Sequence, residues 1–192
     1  MKVSELLNGP AVFEVAAPDA AVSFKHGDAG YQIPPHSVTS LVDLDVPVKI
    51  DGFFHCENND IGSLEGGPQI VKDTYQVHDC GLSTLEGANI TSVGNYLDIS
   101  ANHFKDLKNI HKHVKEVDGT IFCTHNQEEI KGPVLGILLV KGLKKFEYSD
   151  ATGTPGWVEI INKYLPNKEG VAALNKCSLE LDKAGFETVA DI

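Results

Sequence analysis

Apolar positions in this chain come as every second residue for a short run, then three residues apart, and the whole pattern returns at a nearly constant interval. Phe54-x-Cys56-x-x-Asn59-x-Ile61-x-x-Leu64 is answered by Tyr75-x-Val77-x-x-Cys80-x-Leu82-x-x-Leu85 and by Leu97-x-Ile99-x-x-Asn102-x-Phe104-x-x-Leu107. Ile121-x-Cys123-x-x-Asn126 repeats the front half, and Tyr31-x-Ile33-x-x-His36-x-Val38-x-x-Leu41 is a weaker copy upstream. Successive copies start 23, 21, 22 and 24 residues apart. Alternation with period two predicts a short strand with one buried face in each copy. A single coil of this size cannot bury its inward row alone. Stacked coils can, with their strands forming a parallel sheet.

The pattern L-x-L-x-x-N/C-x-L-x-x-L at this interval is the core of a leucine-rich repeat, whose period is ~20–29 residues. The expected fold is therefore a β-rich α/β solenoid in three parts. Residues 1–29 form an N-terminal cap, residues 30–148 a leucine-rich-repeat-like parallel sheet, and residues 149–192 a C-terminal helical cap. Ile50, Val71, Val93 and Val117, four positions before each strand core, secure the register. So do the turn formers Gly52, Asp73, Asn95 and Gly119, two positions before it. In the N-terminal part residues 4–8 read as a helical turn and residues 12–15 as a strand.

The Asn/Cys slot (His36, Asn59, Cys80, Asn102, Asn126) follows the strand, where an amide can bond backbone groups left unpaired by a sharp turn. His36 suits that slot poorly and predicts an irregular first copy. Beyond Asn126, Glu128 and Lys131 occupy formerly apolar positions, and residues 136–143 read as a last strand with Leu138 and Val140 inward. A helix follows, with Thr154 as N-cap, Pro155 at its first position, Ile160, Ile161, Tyr164 and Leu165 inward, and Pro166 as its stop. A second helix over about residues 168–184 carries Val171, Leu174, Cys177, Ser178 and Leu181 on one stripe and ends at Gly185. Residues 186–190 then fold back onto the stack.

Three outward columns follow from the strand register. Gly30, Phe53, Thr74, Tyr96 and Thr120 precede the first inward residue; Gln32, His55, Gln76, Asp98 and Phe122 separate the two; Pro34, Glu57, His78, Ser100 and Thr124 come after. Aromatic anchors among orienting polar groups are the composition of a protein-recognition surface. The candidate contact residues are Phe53, His55, Gln76, His78, Tyr96, Asp98, Phe122 and Thr124. The rival reading places a helix or loop from either cap over some of them.

Charge narrows the partner. A formal net charge of −11 repels phosphate backbones, so a nucleic-acid ligand is not expected and a basic protein surface fits better. No run reaches the ~20 apolar residues of a membrane helix. The opening MKVSELLNGPAVFEV lacks the apolar stretch of a signal peptide, so a cytoplasmic location is expected. The four cysteines form no C-x-x-C, and Cys56, Cys80 and Cys123 fall on core positions, which predicts reduced, buried thiols.

Candidate chemistry is thin. His103, His111, His113, Cys123 and His125 cluster in sequence, but zinc needs four converging ligands. The register turns Cys123 inward and sets His125 on a corner, while Lys112 and Lys115 disfavour a cation, so no metal is expected. Asp43, Asp45, Asp51, Asn58, Asn59 and Asp60 miss the spacing of a calcium loop. There is no G-x-S-x-G, and Gly66-Gly67-Pro68 and Gly153-Thr154-Pro155-Gly156 lack the G-K-[ST] end of a phosphate loop. Neither a catalytic activity nor a cofactor is expected.

The segments SLEGGPQIVKD, TLEGANITSVGNYLDISAN, FKDLKNIHKHVKEVDGTIFCTHN, VLGILLVKGLKKFEY and the tail IINKYL…CSLELDKAGFETVADI resemble a family of small leucine-rich-repeat-like proteins of bacteriophage and bacterial genomes. The resemblance runs from Leu64 to Ile192, about two thirds of the chain. It implies a phage-encoded or phage-derived intracellular protein and no particular reaction. The expected function is thus binding and modulation of a host protein. A structural or decoration component of a virion is the alternative, and a small-molecule binding protein the third.

Overall fold

The computed structural model describes residues 24–25, 30–165 and 171–191. The expectations for residues 4–8 and 12–15, for the stop at Pro166 and for a helix start near residue 168 lie outside them. The chain is a β-solenoid of about five turns with few helices. Six short strands pair in parallel in chain order: β2 (Gly30–Gln32), β4 (Phe53–His55), β6 (Tyr75–Gln76), β8 (Tyr96–Asp98), β9 (Thr120–Cys123) and β10 (Lys145–Tyr148). At one edge β1 (Phe24–Lys25) pairs antiparallel with β2. The register sets Tyr31, Phe54, Tyr75, Leu97, Ile121 and Phe146 side by side. Those residues and the second inward row, Ile33, Cys56, Val77, Ile99, Cys123 and Tyr148, are all buried. The rings of Tyr31, Phe54 and Tyr75 follow one another through the core at 6.1 and 4.9 Å. Burying one such side chain contributes about 1.5–3 kcal/mol.

A second parallel sheet was not anticipated. Strands β3 (Lys49–Ile50), β5 (Ile70–Val71) and β7 (Ser92–Val93) pair in order, and the bridges Val93↔Val117 and Glu116↔Lys141 prolong the ladder. The apolar residues four positions before each core strand are its inward members. The back of the coil closes by a tight turn: Gly67 donates its N–H to Leu64 and Ala88 to Leu85, with Gly66 and Gly87 at φ 84° and 89°. That is a type II geometry, which requires a residue tolerant of positive φ. In the next coil the same place holds a short helix, α1 (Ile110–His113).

After each of the first five core strands the chain turns through one residue in the left-handed region: His36, Asn58, Asp79, Ala101 and His125, all with φ between 51° and 56°. This corner corrects the expected role of His36. The first copy carries one extra residue, so His36 is itself the corner, and Ser37 takes the slot beside Asn59. The slot amides join the coils. Asn102 accepts the N–H groups of Cys80 and Leu82 and donates to the carbonyls of Val77, Ile99 and Ser100. Asn59 does the same for the coil before it, accepting from Ser37 and Val38. Cys80, between them, donates its thiol to the Cys56 carbonyl.

Three further expectations are corrected. Residues 136–143 are not a strand: Leu135–Leu139 form a 3-10 helix with Leu135, Gly136, Ile137 and Leu138 buried. A run apolar on all sides has no strand period, and Gly136 sits where an added Cβ would lie 2.1 Å from the Lys108 carbonyl oxygen. The last strand is β10, with Phe146 and Tyr148 inward. Thr154 is not a cap, because Pro155 accepts the Val158 N–H in a turn and the helix α2 starts later (Trp157–Tyr164), with Gly156 at its N-cap. Val171 does not join the buried stripe of α3 (Val171–Lys183): it heads the helix and is 71% exposed, whereas Leu174, Cys177 and Leu181 are buried. Gly185 ends α3 at φ 83°, and Val189 returns to the stack by accepting the Val134 N–H. Helix α2 packs against β10, where the Asn162 amide accepts from the Phe146 N–H and donates to its carbonyl, each at 2.8 Å. That amide satisfies the Phe146 backbone on the open edge of the last strand.

Candidate interaction surface

The outward side chains of the first sheet form straight columns because the register repeats without slippage from β2 to β10. One column reads Gly30, Phe53, Thr74, Tyr96, Thr120, Lys145 and the next Gln32, His55, Gln76, Asp98, Phe122, Glu147. Lys145 and Glu147 extend the face by a rung that sequence reasoning missed. The signal was the alternation Phe146-x-Tyr148, which follows Ile121 by 25 residues.

Phe53 lies across Gly30, where an added Cβ would meet its ring at 2.6 Å, and its ring stands 4.3 Å from that of His55. His55 bonds the Thr74 hydroxyl at 3.1 Å. Burial holds its pKa below the ordinary value, against the Glu57 and Asp73 carboxylates. Tyr96 and Phe122 meet edge to face at 5.5 Å. Burial pushes the Tyr96 phenol up, and the Asp98, Asp73 and Glu57 carboxylates add to it, against the Thr74 hydroxyl. Asp98 accepts the Ser100 N–H at 2.9 Å. In the third column His78 faces Glu57 at 3.5 Å, and Thr124 bonds the Ser100 hydroxyl through both its N–H and its own hydroxyl.

All eight candidate residues, Phe53, His55, Gln76, His78, Tyr96, Asp98, Phe122 and Thr124, are partly exposed, neither buried in the core nor fully in solvent. Four of them form two ring clusters, Phe53 with His55 and Tyr96 with Phe122, separated by the rung of Thr74 and Gln76. Thr74 is the buried member of its column and leaves a low place between them. The described helices pack mainly on one another, on β10 and on the 3-10 helix.

Elsewhere the chemistry is sparse. Among the described residues no three His, Cys, Asp or Glu side chains gather as a metal-ligand group, and no helix is long and apolar enough to cross a membrane. The four thiols are buried; burial raises Cys123 and pushes Cys177 up to about 12. A cavity of about 170 Å³ lies between the turn at Ser83, Leu85 and Glu86 and the segment holding Asp106, Ile110 and His113. That is below the ~300–1,000 Å³ of small-molecule pockets. No protein-family model, curated protein or solved structure matches the chain.

Proposed function

We propose that this chain is a non-enzymatic intracellular interaction module, a phage-encoded leucine-rich-repeat-like protein that binds and modulates a host protein through the outward face of its first sheet. The row of partly exposed rings Phe53, Tyr96 and Phe122 among His55, Gln76 and Asp98 carries the reading. Rigid aromatic groups flanked by polar ones are the usual anchors of protein contacts, and a solenoid presents them on a scaffold that needs no rearrangement.

The test is affinity capture from host lysate, and in parallel from purified virions, with the wild type and with Phe53→Ala/Tyr96→Ala/Phe122→Ala. Circular dichroism establishes that the variant is folded. A stoichiometric host partner lost with the variant supports the reading. Capture that survives the triple change rejects it. The second reading, a virion component, rests on the helical cap: Val171 and Leu179 on α3 are large apolar side chains 71% and 54% exposed, away from the sheet. Capture only of virion proteins, lost with Val171→Ser/Leu179→Ser, is its outcome.

A further inference from the structure

We infer that the face around Phe122 is a socket for an arginine or lysine side chain carried by a basic segment of the protein partner, an inference that rests on the binding reading above. The register places Phe122 between Asp98 on one neighbouring strand and Glu147 on the other. Each carboxylate is thus one rung away, ~4.8 Å along the stack. The Tyr96 ring stands nearly perpendicular to Phe122, centroids 5.5 Å apart, and bounds the same place on the side of β8. Aromatic faces attract cations, and a carboxylate beside them supplies the directional partner that a guanidinium bonds in pairs.

The two acids are differently prepared. Lys145 already holds Glu147 at 2.6 Å. Among the described residues the Asp98 carboxylate takes only the Ser100 N–H, through one oxygen, and no lysine or histidine stands within ion-pair distance of it. Its geometry is therefore fixed from within the chain while its charge is left uncompensated. Glu57 and Asp73 add negative charge nearby, His55 adds no counter-charge once neutral, and the whole chain carries −11. Such a face draws in cationic partners and repels acidic ones.

The probe is the capped peptide Thr-Arg-Thr-Arg-Thr at low ionic strength. The control is the same peptide with citrulline for arginine, which keeps the shape and removes the charge. Amide shifts of the ¹⁵N-labelled protein are followed on titration. The expected response clusters on the strands holding Tyr96, Asp98 and Phe122, is absent with citrulline, and weakens about tenfold in Asp98→Asn but less than about twofold in Glu65→Gln. The side-chain amide introduced by Asp98→Asn retains an oxygen that accepts the Ser100 N–H, so the variant keeps the local fold. An equal response to citrulline, shifts scattered over acids off this face, or unchanged binding by Asp98→Asn overturns the inference. A host partner that is lost with the triple ring variant yet binds Asp98→Asn undiminished refutes the socket alone and leaves the binding face standing.

Discussion

Replacing Asn102 with alanine removes the side chain that joins two coils from inside the core. Its carbonyl oxygen accepts the Cys80 and Leu82 N–H groups at 3.0 and 2.9 Å, and its amide donates to three carbonyls at 2.9, 2.9 and 3.1 Å. Asn102 is fully buried, so bulk solvent does not reach the groups it bonds. Two amide donors are then left without an acceptor, each costing about 1–3 kcal/mol, for a loss of about 2–6 kcal/mol. Asn126 offers an internal comparison, because its oxygen accepts one backbone N–H, that of Phe104 at 3.1 Å. Asn126→Ala is therefore expected to cost about 1–3 kcal/mol. The carbonyls matter less, since each has a second lone pair. Urea unfolding followed by circular dichroism, with the slope compared between variants, reads both losses. The reasoning fails if Asn102→Ala costs under about 1 kcal/mol, or if Asn126→Ala costs as much as Asn102→Ala.

Gly94→Ala would set a Cβ 1.9 Å from the Lys72 carbonyl oxygen, forcing adjacent coils apart, and is expected to cost about 3 kcal/mol or more. Gly62→Ala meets nothing within 4 Å and carries only the strain of φ +63°, about 1–2 kcal/mol, so thermal melts should rank the two. A thiol reagent is expected to label none of the four buried cysteines in the native protein and all four in urea; one fast native thiol would contradict the core register. His55 and His111 both have pKa values lowered chiefly by burial, with Lys112 and Lys115 adding to the shift at His111. The unfolded chain therefore takes up protons first. Their contribution is intact above the unfolded value of about 6.5 and stability falls as the pH drops from there toward the lower folded values. His55→Gln/His111→Gln should flatten the melting temperature between about pH 6.5 and pH 5, and an unchanged slope would refute the assignment.

What could be read in advance tracks how many independent constraints acted on a position. Phe54, Cys56, Tyr75, Val77, Leu97 and Ile99 were legible because alternation, spacing and the following Asn or Cys all agreed, and each is buried. The second sheet was half legible: Val71 and Val93 stood out as apolar, but two-residue strands leave no alternation to recognise. The last coil was hidden by its own core. Leu135 to Leu138 are apolar because protein surrounds them, and a run without period mimics a buried strand, while the true strand at Phe146 and Tyr148 has Ala151 where earlier copies carry the slot amide. At the candidate face the columns followed from the register. Distances between rings and the isolation of Asp98 did not, since they depend on which side-chain rotamers neighbouring rungs permit.

The straight columns act as a ruler for whatever is laid along them. Their marks fall ~4.8 Å apart, the spacing of parallel strands, whereas a fully extended chain presents side chains of one side every ~6.6–6.8 Å. The two scales come close only about every 13–14.5 Å, where three rungs meet two steps of the visitor. From the Phe53 rung to the Phe122 rung there are three steps, through Thr74 and Tyr96. An extended segment running along the stack would thus find both ring clusters with two of its same-side residues and pass over what lies between. Lengthening such a segment would add contacts in jumps of three coils, and inserting or deleting one coil would shift the second cluster out of its reach.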